Sequence, residues 1–168
     1  YLLSLKDMNR SAHLEAMMDA GVRSFKIEGR LKDVTYVKNV TACYRQAIDA
    51  ILARRPEYER ASLGVSTYTF EPQLDKSFNR GFTIFNLEGK SEKTGNLKST
   101  KSLGKVFGRV VSEKDGFIKT DSKEALHSGD GIVFFDHKGD LNGLLVNAVT
   151  ANGFRANKKI SIPKGTVL

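Results

Sequence analysis

The chain has 168 residues, 40% of them apolar, with a formal charge of +8 and a pI near 9.6. That length holds one domain or two small ones around a packed core, and no apolar run reaches the roughly 18 residues a membrane span needs. The basic excess is diffuse, with 11 basic and 8 acidic residues up to residue 62 and 16 and 11 beyond it, which permits contact with nucleic acid without specifying it.

Tyr1 to Leu5 is a short apolar run that reads as the tail of a buried strand. No signal-peptide pattern precedes it, and the chain starts mid-pattern, as a piece cut from something longer would. Asp7 or Asn9 then offers a helix N-cap, Leu14, Met17 and Met18 follow at helical spacing, and Gly21 sits where a left-handed C-cap belongs. His13 has no second ligand nearby and reads as a surface or capping residue. From Val22 to Glu28 apolar and polar residues alternate, which predicts a strand with Phe25 and Ile27 on one face and Lys26 and Glu28 on the other.

Gly29 turns the chain into the longest periodic segment, Val34 to Ala53, capped by Asp33 and stopped by Arg54, Arg55 and Pro56. Cys43, the one cysteine, lies inside it and reads as a buried structural thiol. A lone cysteine excludes an internal disulfide and points to a cytoplasmic home. Strand, helix, strand, helix is the alternation of a parallel α/β fold. Polar residues at the carboxyl end of such a strand are where active sites lie, so Lys26, Glu28 and Arg30 read either as site residues or as a charge cluster closing a barrel end.

After Pro56 the texture changes. Arg80, between Phe78 and Phe82, reads either as a residue that stacks bases or binds phosphate, or as an exposed arginine in an ordinary loop. Five lysines and one acid between Lys90 and Lys105 make a solvated connection. From Val106 the pattern is all β: apolar runs at Val106–Val111, Phe117–Ile118, Ile132–Phe135 and Leu144–Val149 alternate with Asp-Gly and Asn-Gly turns. Such spacing predicts a small antiparallel barrel or sandwich. Ser128–Gly131 lacks the context of a phosphate loop, and Asp130, Asp136 and Asp140 do not have calcium-loop spacing. His127 and His137 have no partner for nucleophilic catalysis. The domains expected are therefore 1–62, a connection of irregular and short strand structure over 63–103, and a barrel over 104–168.

Ser4–Met8, Ala20–Lys32 with its Lys-Ile-Glu-Gly-Arg core, and Tyr36–Asp49 resemble the U32 peptidase family, the collagenase-like proteases. Asn79–Thr83 resembles the motif that opens that family's C-terminal extension, and Gly129–Ile132 fits the small barrel that follows. The resemblance implies an α+β chain: the last β/α segments of a TIM-barrel-like catalytic domain, then a small antiparallel β-barrel of the kind seen in translation factors. It implies that Lys26, Glu28 and Arg30 match the family motif residue by residue. It also implies a parent enzyme, either a peptidase whose barrel positions the substrate or an iron–sulfur-dependent hydroxylase of RNA bases whose barrel binds RNA. The family's cysteine-rich signature is absent here, and Asn9 stands where many relatives carry a cysteine, so no cofactor or metal is expected in this chain, though an iron–sulfur cluster is compatible with the full-length parent. The partners expected are the missing N-terminal catalytic domain and an RNA or protein substrate, with no membrane. Arg80, Lys98, Lys101 and Lys105 are the candidate RNA- or substrate-binding residues; lysines gathered on one barrel face favour RNA, and scattered ones a structural role.

Overall fold

The computed structural model describes residues 4–90 and 93–168, so the expected strand tail at Tyr1–Leu3, and Ser91 and Glu92 of the lysine-bearing connection, lie outside it. The chain is mixed helix and sheet and divides into two compact units, Leu5–Thr94 and Ser4 with Gly95–Leu168.

In the first unit, β1 (Asp7–Met8) lies parallel to β2 (Phe82–Thr83), with Asp7 opposite Phe82. Asn9 ends the strand, its Oδ1 accepting from the Ser11 amide and hydroxyl. One 3₁₀ turn (Ser11–His13) leads into α1 (Leu14–Asp19), and Gly21 follows at φ 92°, a left-handed conformation that costs glycine little. Helix α2 (Val34–Arg54) starts where the periodicity places it, with the Asp33 carboxylate accepting from the Tyr36 amide at 2.7 Å. Leu14, Met18 and Ile51 bury the seam between the helices, flanked by Phe25, Tyr44 and Ile48. Arg55 locks it from outside: its guanidinium donates to Glu15 at 2.6 Å, Asp19 at 2.7 Å and Glu57 at 2.6 Å.

The segment Val22–Glu28 departs from expectation. Its alternation survives, with Phe25 and Ile27 half-buried and Lys26 and Glu28 exposed, but it forms no strand. Side-chain alternation sets which face is inward, whereas a strand also needs a neighbour to share its ladder. Among the described residues no strand supplies one.

The second unit is a five-stranded antiparallel sheet curled into half a barrel, in the order β3 (Val110–Lys114), β4 (Phe117–Thr120), β7 (Gly153–Ala156), β6 (Leu141–Thr150), β5 (Gly131–Phe135). Asp115 and Gly116, both at positive φ, make the tight β3–β4 turn. Gly153 is required where β7 meets β4, because a Cβ there would come within 2.2 Å of the Ile118 carbonyl oxygen. Inward residues of every strand, with Ile162 and Leu168, form one core around Ile118 and Phe154. Two expectations shift. The predicted strand at Val106 begins only at Val110, with Val106 itself 70% exposed, and β7 has too few apolar residues to announce itself. The lysine-bearing connection is also better anchored than a solvated loop, since Asn96 and Ser99 are buried and the Ser4 hydroxyl donates to the Ser99 carbonyl.

Phe154→Ala is expected to destabilise the sheet by about 3–5 kcal/mol, because it empties the centre of the core. Urea unfolding followed by far-UV circular dichroism checks this, and a loss below about 1 kcal/mol contradicts the core assignment. The Arg55 clamp predicts a pH dependence. Hydrogen bonds from Arg55 and Arg54 hold the Glu15 pKa below its ordinary value, and those from Tyr58 and Arg55 do so for Asp19. Both carboxylates bind protons less readily when folded, so their contribution is complete above the ordinary range near pH 4 (about) and is lost as pH falls through the lowered folded values. Arg55→Met is expected to flatten that acid-side decline of helix stability; identical profiles for the two proteins rule the clamp out.

Candidate functional site

The Asn79–Thr83 turn assembles the site. Buried Asn79 donates its amide to the Asp75 and Ser77 carbonyls and accepts from the Gly81 amide, and Gly81 turns at φ 84°. Arg80 is thereby aimed at Asp7, which receives its backbone amide at 2.8 Å, its Nε at 3.1 Å and its Nη2 at 2.9 Å. The two side chains are 29% and 19% exposed, so this charge-assisted pairing is only lightly screened by water.

Around that pair opens a cleft of about 520 Å³. Lys26, Glu28 and Arg30 line it from the extended segment, Arg80 from the turn, and Asp7, Arg10 and Lys32 from their own loops. Tyr36, Val40 and Tyr44, four residues apart on α2, present one helix face to it. Five basic residues face two acidic ones. Lys26 reaches Glu28 at 3.5 Å, but the side chains are 88% and 69% exposed, so the pair contributes little. Among the described residues Arg10, Arg30 and Lys32 have no carboxylate within ion-pair distance. Lys32 instead places its ammonium 3.2 Å from the centre of the Phe78 ring and 5.6 Å from that of Tyr36. Burial holds its pKa below the ordinary value, opposed by Asp7 and assisted by Arg80. Burial also raises the Tyr36 and Tyr44 pKa values, so both are neutral hydroxyls at pH 7. The Tyr44 hydroxyl accepts from the Arg10 amide at 2.9 Å and reaches Asn9 Oδ1 at 3.3 Å. Surplus cations beside neutral hydroxyl donors suit a polyanionic or phosphate-bearing ligand.

Lys26, Glu28, Arg30 and Arg80 therefore meet in one cleft. Lys98, Lys101 and Lys105 belong to the other unit and go separate ways. Lys98 lies 5.7 Å over the Phe135 ring at the β5 edge, Lys105 pairs with Glu124 at 2.5 Å, and Lys101 is exposed, its amide donating to the Ser99 hydroxyl. Arg109 and Lys119 stand toward the β3 edge, opposite Lys98 in the sheet order. Sequence reasoning singled out neither Lys32 nor Tyr36 for the site and offered Asp7 as a helix cap; Phe78 entered only as a neighbour of Arg80, and the available signal was a hydroxyl-bearing aromatic at i and i+8 of one helix.

An iron–sulfur cluster does not fit the residues of this chain. Such clusters require several thiolates, and the single thiol, Cys43, sits half-buried on α2 with burial pushing its pKa up. Among the described residues no three His, Cys, Asp or Glu side chains converge as a metal site. His13 pairs with Glu88 and His127 with Asp130, carboxylates rather than a serine, threonine or cysteine nucleophile. No described helix is long and apolar enough to cross a membrane.

A family model described as peptidase family U32 matches residues 1–97, a stretch that covers the whole cleft. The chain is 43% identical to the 23S rRNA 5-hydroxycytidine synthase of Escherichia coli K12, over 94% of this chain and 22% of that protein. It is also 43% identical to a collagenase of Porphyromonas gingivalis, over 97% of this chain and 46% of the relative. With tRNA hydroxylation protein P of Escherichia coli K12 it shares 26% identity over 91% of this chain and 33% of the relative. The chain thus spans less than half the length of these relatives. No solved structure matches it.

Asp7→Ala is expected to destabilise the first unit by about 1–3 kcal/mol, because it removes the carboxylate that accepts three hydrogen bonds from half-buried Arg80. Denaturant unfolding followed by tyrosine fluorescence measures this, and a change within about 0.5 kcal/mol means the pair behaves as a surface ion pair.

Proposed function

This chain belongs to peptidase family U32, and from that premise we propose that it is the RNA-gripping portion of an RNA base hydroxylase. The observation that carries this reading is the cationic cleft, in which three basic residues lack carboxylate partners among the described residues and two tyrosines offer neutral hydroxyls. Phosphates are the ligand such a set complements, and relatives named for rRNA and tRNA hydroxylation make RNA their source.

In this reading Lys26, Arg30 and Lys32 hold the sugar–phosphate backbone while Asp7 keeps Arg80 pointed into the cleft. Glu28 repels phosphate from one wall and so fixes where the strand enters. The oxidative chemistry belongs to the rest of the parent, where an iron–sulfur cluster has its thiolates. The first unit supplies the closing β/α segments of a TIM-barrel-like domain, and Val22–Glu28 finds its ladder partners in the remainder of that barrel. The curled sheet serves as an appended barrel domain, with Lys98 and Lys101 offering additional backbone contacts. A single cysteine agrees with a cytoplasmic setting.

A second reading, a peptidase whose sheet domain positions its substrate, is supported by the similarity to a collagenase. Within the described residues its chemistry has no nucleophile–base pair to start from, so this chain by itself is expected to be inert toward gelatin.

In the whole protein that carries this chain, Lys26→Ala combined with Arg30→Ala is expected to lower RNA affinity and reduce the salt slope of log K by up to about 2. The same variant should lose hydroxylated nucleoside when cellular RNA is digested and analysed by mass spectrometry. Unchanged RNA binding, together with gelatin cleavage that fails in the variant, transfers the cleft to a peptidase.

A further inference from the structure

A second groove, of about 680 Å³, shares Lys32 and Tyr36 with the cleft and continues past the start of α2. Three aromatic rings line it: Tyr36, Phe78 and Phe70, the last 43% exposed with its ring set edge-on to Tyr68 at 6.2 Å. Its floor is fixed. The Asn39 side chain takes the Gln73 amide at 2.8 Å, gives to the Gln73 carbonyl at 2.6 Å and bonds the Ser77 hydroxyl, so it ties α2 to the 73–77 segment through both ends of its amide. At the rim Leu31 is 98% exposed and held at φ 62°, a backbone conformation leucine adopts only under constraint.

Aromatic faces beside lysines form the arrangement that binds single-stranded nucleic acid, with bases stacking on the rings and ammonium groups meeting the phosphates. The Phe78 face already receives a flat-on cationic partner, the Lys32 ammonium at 3.2 Å, and a lysine stem is flexible enough to yield that face. Lys38 lines the groove with no carboxylate within ion-pair distance among the described residues. Asp33, one of the two acids here, is engaged in capping α2.

Building on the RNA reading of the cleft, we infer that this groove seats the single-stranded nucleotides next to the one held in the cleft. Phe70 and Phe78 stack bases, and Lys32 and Lys38 hold the connecting phosphates. Lys32 stands at the junction and yields the Phe78 face when a base arrives. Stacking tolerates any base, so the groove adds affinity and register and leaves the choice of base to the cleft.

The test is fluorescence anisotropy of the whole protein that carries this chain with a labelled oligouridine of about 12 nucleotides and, separately, a structured RNA hairpin, at low and moderate salt. Phe70→Ala, at an exposed position that leaves the core intact, is expected to weaken oligouridine binding about 5- to 150-fold, and Phe70→Trp to restore it. Lys38→Ala is expected to flatten the salt slope by about 0.7. Oligouridine binding that is absent at low salt, or unchanged in Phe70→Ala, overturns the groove. Binding of a denatured-collagen peptide that is lost in Phe70→Ala overturns it in favour of a protein ligand. If the groove fails while hairpin binding still depends on Arg30 in the cleft, the RNA reading stands; if neither RNA binds, both fall.

Discussion

The Asp7–Arg80 ion pair joins residues 73 positions apart, and the geometry of the first unit depends on it. It reinforces a short junction: the β1–β2 pairing is only two residues long, with the Asp7 amide donating to the Gly81 carbonyl and the Asn9 amide to the Thr83 carbonyl. The pair also decides which cations are idle. With Arg80 engaged by Asp7, and Lys26 loosely by Glu28, the cations on the cleft wall that have no carboxylate partner among the described residues are Arg10, Arg30 and Lys32. Burial disfavours the Lys32 ammonium, and an anionic ligand relieves that cost.

Much of this was legible in the sequence, and the reasons are local. Helix α2 was readable because Val34, Val37, Tyr44, Ala47, Ile48, Ile51 and Leu52 keep one period and Asp33 and Pro56 mark its ends. The hairpins were readable because Asp115-Gly116 fits only a few turn geometries. What escaped depends on partners distant in the chain. Val22–Glu28 has a strand's alternation but no neighbour, so periodicity alone over-read it. Arg80 read as an exposed loop arginine or a base-stacking one because Asp7 lies 73 residues away, and Lys32 went unnoticed because nothing local says it rests on Phe78. Lys26, Glu28 and Arg30 stand together in the sequence; that they line a cleft with Arg80 required the fold.

Relatives named for different activities each align with more than nine-tenths of this chain. Among the described residues none is paired as a nucleophile with a base or gathered around a metal. On the proposed RNA-gripping reading, the reaction would come from the remainder of the parent and this portion would hold its substrate. On that reading, the cations without a carboxylate partner among the described residues, the neutral hydroxyls and the aromatic rings meet an RNA backbone with unstacked bases.

Ultraviolet cross-linking of the whole protein to its cellular RNA, followed by peptide mass spectrometry, tests this account most directly. It predicts nucleotide adducts on Tyr36, Phe78 and Phe70 and their neighbours in Leu5–Thr94. Adducts confined to Gly95–Leu168, or none where a known RNA-binding control cross-links, contradict it.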